Sequence, residues 1–228
     1  MSDYLEAQDR YYKPGYDAEN VESWVFRTYG RVFKAQFGMD GSKHEKMLDF
    51  GCGQGAAVRF FDSKGFDAYG VDISERDIAR AREIMPHIKD HFAVISPKPK
   101  RDNVFFGGGF DLVISIQTLY LLNNEDLQTL IESLHAQMKP GGLIFASMMG
   151  PGHHYYGRSV EAENGMRKVD FQTERLTVRD YYVNFTHSEE ELLNRFAMFR
   201  RVHVGYYDLK YREDEGGSFH YTFIGQKV

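Results

Sequence analysis

The stretch Asp49-Phe50-Gly51-Cys52-Gly53-Gln54-Gly55 constrains this chain more than any other part of it. It follows a short apolar run, Lys46–Phe50, and opens a helical pattern over Ala56–Lys64 that Gly65 stops. Glycines between a strand and a helix let the backbone approach a ligand closely and take conformations that a Cβ forbids. A second apolar run, Phe66–Val71, ends at the acidic Asp72, 19 residues after Gly53. A carboxylate there can accept both hydroxyls of a ribose, which suits adenosine cofactors in general.

The same rhythm continues downstream. Ser74–Met85 reads as a helix with Ser74 and Asp77 as a capping box and Pro86 as its stop. Phe92–Ser96 and Asp111–Ile116 read as strands, the latter apolar enough for burial on both faces. A helix from about Asn124 to Met138 carries Leu127, Leu130, Ile131, Leu134 and Met138 on one stripe. Lys139-Pro140-Gly141-Gly142 breaks it before a fifth strand, Leu143–Met149. Strands alternating with helices predict a mainly parallel sheet with right-handed crossovers. Upstream, Val21, Trp24, Val25, Tyr29, Val32, Phe33 and Phe37 recur at helical steps that Gly38 can close. Residues 150–186 break the rhythm, with a possible hairpin between Arg167 and Phe185. A short helix, Ser188–Phe196, and two β-rich segments, 199–211 and 218–227, close the chain. The expected fold is α/β, a three-layer sandwich. Its sheet is seven-stranded and mostly parallel with an antiparallel last strand, helices lie on both faces, and N-terminal helices and a lid insertion are added. It forms one domain, divided into a helical cap (1–44), a cofactor-binding core (45–149), a substrate lid (150–186) and a C-terminal helix and β pair (187–228).

Composition narrows the function. The 228 residues, 42% of them hydrophobic, suffice for one domain with a sizeable core. A net charge of -5 and the lack of a basic block disfavour nucleic acid as a partner. One cysteine fits a reducing compartment. The opening Met-Ser-Asp-Tyr-Leu-Glu does not read as a signal peptide, and no apolar run reaches membrane-spanning length, so a cytoplasmic location without membrane contact is expected.

The glycine turn alone is ambiguous, because Gly51-x-Gly53-x-x-Ala56 also satisfies a dinucleotide fingerprint. An NAD(P)-dependent oxidoreductase is therefore the rival reading, and a non-catalytic binding module is a third. Asp49 argues against NAD, since a carboxylate in the leading strand repels a pyrophosphate and attracts a cation. Gly55 widens the loop and leaves room for an amino-acid moiety. The runs Met47–Phe61, Tyr69–Ser74, Phe110–Ile116 and Met138–Ala146, in order and at normal spacing, resemble the successive motifs of class I, Rossmann-like, S-adenosylmethionine (SAM)-dependent methyltransferases. The N-terminal helices and the ending Gly205-Tyr206-Tyr207 and His220-Tyr221 more loosely resemble small-molecule methyltransferases of the bacterial surface-glycan-cluster and tellurite-resistance types.

That resemblance implies SAM as cofactor and S-adenosylhomocysteine as product. It implies that the loop carrying Asp49, Gly51, Cys52, Gly53 and Gly55 holds the methionine part. Asp72 would bind the ribose diol and Ile73 would pack on adenine. The stretch Ser96-Pro97-Lys98-Pro99 lacks the acid that often meets the adenine amino group in the family, which leaves Ser96 or backbone for that role. Gln117 falls where the family lines the methyl-bearing side, and Arg27 is a candidate for the cofactor carboxylate.

Methyl transfer from a sulfonium needs a general base only when the nucleophile must lose a proton. His153 and His154, just past the fifth strand, are the candidate catalytic residues together with Tyr120; His187 and His220 could reach the same side. No metal is expected, because no C-x-x-C spacing occurs and His153-His154 as neighbours do not define a chelate. Balanced charges and many tyrosines in 150–186 suit a small polar acceptor such as a sugar or related metabolite, and a homodimer is the default expectation.

Overall fold

A computed structural model describes residues 20–170, 181–210, 212–214 and 216–228. Seven strands form one sheet: β1 (Lys46–Phe50), β2 (Asp67–Asp72), β3 (Phe92–Val94), β4 (Phe110–Ser115), β5 (Met138–Met149), β9 (Arg200–Tyr207) and β10 (His220–Gln226). Their spatial order is β3-β2-β1-β4-β5-β10-β9. The first five pair in parallel, and β10 runs antiparallel to both of its neighbours. This is the predicted sheet, antiparallel last strand included.

Each face of the sheet is covered, which is why its central strands are apolar on both sides. One face packs Met47, Leu112, Ile114 and Phe145 against Val25, Tyr29 and Phe33, Val58 and Phe61, and Ile78 and Ala81. These come from α1, α2 (Ala56–Asp62) and α3 (Glu75–Ile84). Helix α1 is not regular: Ser23–Thr28 passes into a π-helical stretch, Tyr29–Lys34, and ends with Ala35–Phe37. Gly38 closes it with a φ of 65°, as its sequence position predicted. The other face packs Leu48, Val113 and Ile144 against α4 (Asn124–Gln137) and α5 (Glu189–Arg195). All four leucine and isoleucine positions of the predicted α4 stripe are buried.

Met138 departs from the prediction. It starts β5 instead of ending the helix, and Lys139-Pro140-Gly141-Gly142 forms an irregularity within that strand. Proline and glycine interrupt the ladder there without ending it, since pairing with β4 resumes at Leu143. The segment after β5 builds a small second sheet from β6 (Ser159–Glu161), β7 (Arg167–Val169) and β8 (Tyr181–Val183), all antiparallel. The expected hairpin therefore exists at its base, while residues 171–180 lie outside the described residues. Among the described residues no helix is long and apolar enough to cross a membrane.

Candidate active site

The order of the parallel strands reverses between β1 and β4. In an open α/β sheet that reversal leaves a crevice beyond the carboxyl ends of the strands. A crevice of about 610 Å³ opens there. Asn20, Val21 and Glu22 just before α1, with Val25 in its first turn, form one wall, and His153, His154 and Tyr155 past β5 form another. Predicted residues Asp49, Gly51, Cys52, Gly53, Asp72, Ile73, Ser96, Gln117, Tyr120, His153 and His154 all line it. Gly55 stands just behind the turn. Arg27 does not reach the crevice. Val25 and Tyr29 point α1 into the core, and two residues on from Val25 a helical side chain faces the opposite way, so Arg27 is exposed.

Charge decides what the crevice can hold. Glu22, Asp49, Asp72 and Asp77 line it, against Lys100 as the one lysine or arginine among the described residues. Asp49 sits in the middle of the sheet, its backbone paired with Gly70 of β2 and Ile114 of β4. It is only 4% exposed, and no hydrogen-bond or ion-pair partner for its carboxylate occurs among the described residues. Burial first, and the neighbouring Asp72 second, push its carboxyl up to about 8. A buried carboxylate without a partner is costly unless a cation or donor arrives. Asp72 is different. Its Oδ2 accepts from the Gly53 N–H at 2.8 Å and its Oδ1 from the Ser74 N–H at 2.9 Å. Burial still raises it above the ordinary carboxylate range. Each oxygen keeps acceptor capacity, which a pair of hydroxyls can use. A pyrophosphate would meet repulsion here; a cationic, adenosine-bearing ligand would not.

The three glycines divide their labour in a way the sequence did not show. All have positive φ, with values of 82°, 51° and 81° for Gly51, Gly53 and Gly55. A Cβ on Gly51 would come within 2.2 Å of the Thr118 hydroxyl, and one on Gly55 within 2.6 Å of Met85. Those two glycines make room for protein. A Cβ on Gly53 would meet nothing within 4 Å, so Gly53 is the glycine of the three with open space beside it. Cys52 is a filler. Its sulfur fits against Gly70, and burial raises its thiol well above the usual range.

Gln117 closes the far side with strained backbone, at a φ of 55°. Its N–H donates to the Ser147 hydroxyl at 2.8 Å, and its side-chain amide donates to the Tyr207 hydroxyl at 3.0 Å. Tyr207 is sandwiched between Trp24 (4.4 Å between centroids) and His220 (4.8 Å). His220 in turn lies 5.4 Å from His153 and 5.5 Å from Tyr120. Burial lowers His153 to about 3, helped by His220 and His154, and burial lowers His220 to about 4. Both rings are therefore neutral at physiological pH. His187 is bound instead to Glu191 on α5, at 3.1 Å, away from the crevice.

Asp77, Thr118 and Tyr207 escaped the sequence reading as site residues. The sequence marks Asp77 as part of a cap, yet capping uses only its N–H, which donates to Ser74. Its carboxylate turns to the crevice and accepts from Gln54 at 3.1 Å. An acid in the first turn of the helix that follows Asp72 was the available signal. Tyr207 falls in the Gly205-Tyr206-Tyr207 ending, but nothing local marks its contact with Gln117, which depends on β9 pairing with β10.

The profile of a family described as a methyltransferase domain matches residues 21–209. The chain belongs to this family. An uncharacterized methyltransferase of Synechocystis sp. is 31% identical over 53% of this chain and 60% of its own length. The chain thus spans about three fifths of the length of the curated relatives it matches. Among solved structures, a SAM-dependent methyltransferase from Methanosarcina mazei superposes with a TM-score of 0.68 at 17% identity, covering 92% of this chain and 99% of that one. The magnesium protoporphyrin IX methyltransferase of Synechocystis, solved with bound SAM, gives 0.57 at 16% identity, covering 100% and 92%. These two share the methyltransferase's fold.

Proposed function

We propose that this methyltransferase transfers a methyl group from SAM to a small polar acceptor, by O- or N-methylation of a sugar or related metabolite, and releases S-adenosylhomocysteine. The observation that carries the donor is the buried, unpartnered Asp49 carboxylate on a wall with Asp72. Its chemistry calls for a cation, and SAM carries an ammonium and a sulfonium. The fold supports the same reading, because the crevice lies at the strand-order reversal where adenosine cofactors bind.

The sulfonium supplies an electrophile that is already activated, so the protein's task is alignment and exclusion of water. In this reading the Asp49–Gly55 loop holds the amino-acid end, with Gly53 allowing close approach. Asp72 accepts the ribose hydroxyls, Ile73 packs on adenine and Ser96 lies at the adenine edge. Gln117 faces the transferred methyl. His153, His154 and Tyr120 border the acceptor space.

Thermal unfolding with added ligands tests this. SAM or S-adenosylhomocysteine raises the melting temperature and NAD(H) does not, because a ligand that binds only the native state stabilises it. Asp72→Ala removes the shift. Stabilisation by NAD(H) alone would return the glycine turn to the oxidoreductase reading.

A further inference from the structure

The histidines past β5 and at the start of β10 carry protons on opposite nitrogens. His220 Nδ1 lies 3.0 Å from the Ser218 carbonyl oxygen. A carbonyl only accepts, so Nδ1 bears the hydrogen and Nε2 of the neutral ring holds a lone pair. That Nε2 is buried and has no hydrogen-bond partner, on a residue that is only 2% exposed and lines the crevice. His153 is the mirror case. Its Nδ1 accepts from the Tyr155 N–H at 3.1 Å, so its Nε2 bears the hydrogen. The two rings stand nearly perpendicular, at 86°, with centroids 5.4 Å apart. An oxygen bound to both rings would lie about 3 Å from each Nε2.

We propose that His220 and His153 together select a hydroxyl as the methyl acceptor, with His220 Nε2 receiving its proton and His153 Nε2–H holding its oxygen. This rests on the methyltransferase reading above. The pair asks one atom both to donate and to accept. A hydroxyl does so and keeps a second lone pair for attack. An amine has one lone pair, which the His153 hydrogen would occupy, and a carboxylate has no proton to give. In the transfer, the hydroxyl oxygen forms a bond to the methyl carbon as the carbon–sulfur bond breaks, and sulfur keeps that electron pair. The hydroxyl proton passes to His220 Nε2, so the positive charge leaves the sulfonium and appears on the imidazolium. The proton of an alkylated hydroxyl is strongly acidic, so even a weakly basic imidazole takes it. The resulting imidazolium keeps its Nδ1–H bond to Ser218.

The test uses the full chain saturated with S-adenosylhomocysteine, with nitrogen-15 NMR of the imidazoles and four probes on one ring: phenol, aniline, thiophenol and anisole. The expected spectrum shows His220 as the Nδ1–H tautomer and His153 as the Nε2–H tautomer, and phenol alone shifts both Nε2 signals. The reverse tautomers, no response to phenol, or an equal response to anisole overturns the proposal. His220→Phe preserves a ring against Tyr207 and is expected to weaken phenol about tenfold while leaving S-adenosylhomocysteine binding unchanged. An unchanged phenol affinity in that variant also overturns it. Failure of S-adenosylhomocysteine to stabilise the wild-type chain would instead count against the donor assignment.

Discussion

At the residue scale, Asp49 is the buried carboxylate that a bound cation would affect most directly. A cation placed beside it favours its charged form, so SAM binding near pH 7 is expected to release a proton. Calorimetry in buffers of different ionisation enthalpy reads this directly, and Asp49→Asn removes the buffer dependence while weakening SAM. The glycines give a second residue-scale expectation. Gly51→Ala and Gly55→Ala each drive a methyl into Thr118 or Met85 and are expected to lower stability by about 1–3 kcal/mol. Gly53→Ala strains only its own backbone, by about 1 kcal/mol, and acts mainly on SAM affinity. Chemical denaturation alongside SAM titration separates the two effects. The motif itself was legible in the sequence because glycine spacing is local. The division of labour was not, because it is set by Thr118, Met85 and Phe92, which only the fold brings to the turn.

At the scale of elements, the alternation of strands and helices was readable wherever a segment was long enough to show a period. Helix α4, with its buried stripe, is one such case. The segment after β5 was not readable, since β6, β7 and β8 have three residues each and a three-residue strand shows little more than one alternation. The predicted Ser74–Asp77 capping box was half right, and the cap at Ser188 behaves the same way. Ser74 and Ser188 each accept from the N–H three residues on, but the partner side chains, Asp77 and Glu191, do not return to the cap residue. Asp77 turns to Gln54 and Glu191 binds the His187 N–H. Ser74→Ala is therefore expected to destabilise by about 1 kcal/mol through the lost cap. It should leave the S-adenosylhomocysteine thermal shift intact, because the bond to Asp72 comes from the Ser74 main chain. Between elements, Tyr207→Phe removes the hydroxyl that receives the Gln117 amide. About 1 kcal/mol lost there corresponds to roughly fivefold weaker SAM binding.

For the whole molecule, buried titratable groups of opposite kind shape stability against pH. Asp49 has a raised pKa, so its contribution is full at about pH 4 and below, then declines as pH rises through about 8. His153 and His220 have lowered values, so theirs is full above about 6.5 and declines as pH falls toward about 3 and 4. Each group changes stability by up to about 1.4 kcal/mol per pH unit within its window. The apoprotein is expected to be most stable at an intermediate pH, and urea unfolding between pH 4 and 9 measures the curve. Asp49→Asn flattens its alkaline limb, and saturating SAM does the same. The architecture was legible as a whole from the sequence, while the meeting of His220 with His153 was not. That pairing exists because β10 inserts antiparallel beside β5, which places the start of one strand at the end of the other.

The stack that runs from Trp24 through Tyr207 to His220 has an optical consequence. Trp24 is the sole tryptophan of the chain, so all indole emission comes from one ring, two aromatic neighbours away from the acceptor space. The protein carries its own fluorophore at a useful place. Filling the crevice is expected to change the quenching of that emission, which permits label-free titration of acceptors by eye of the spectrometer alone, with Tyr207→Leu as the variant that uncouples signal from occupancy.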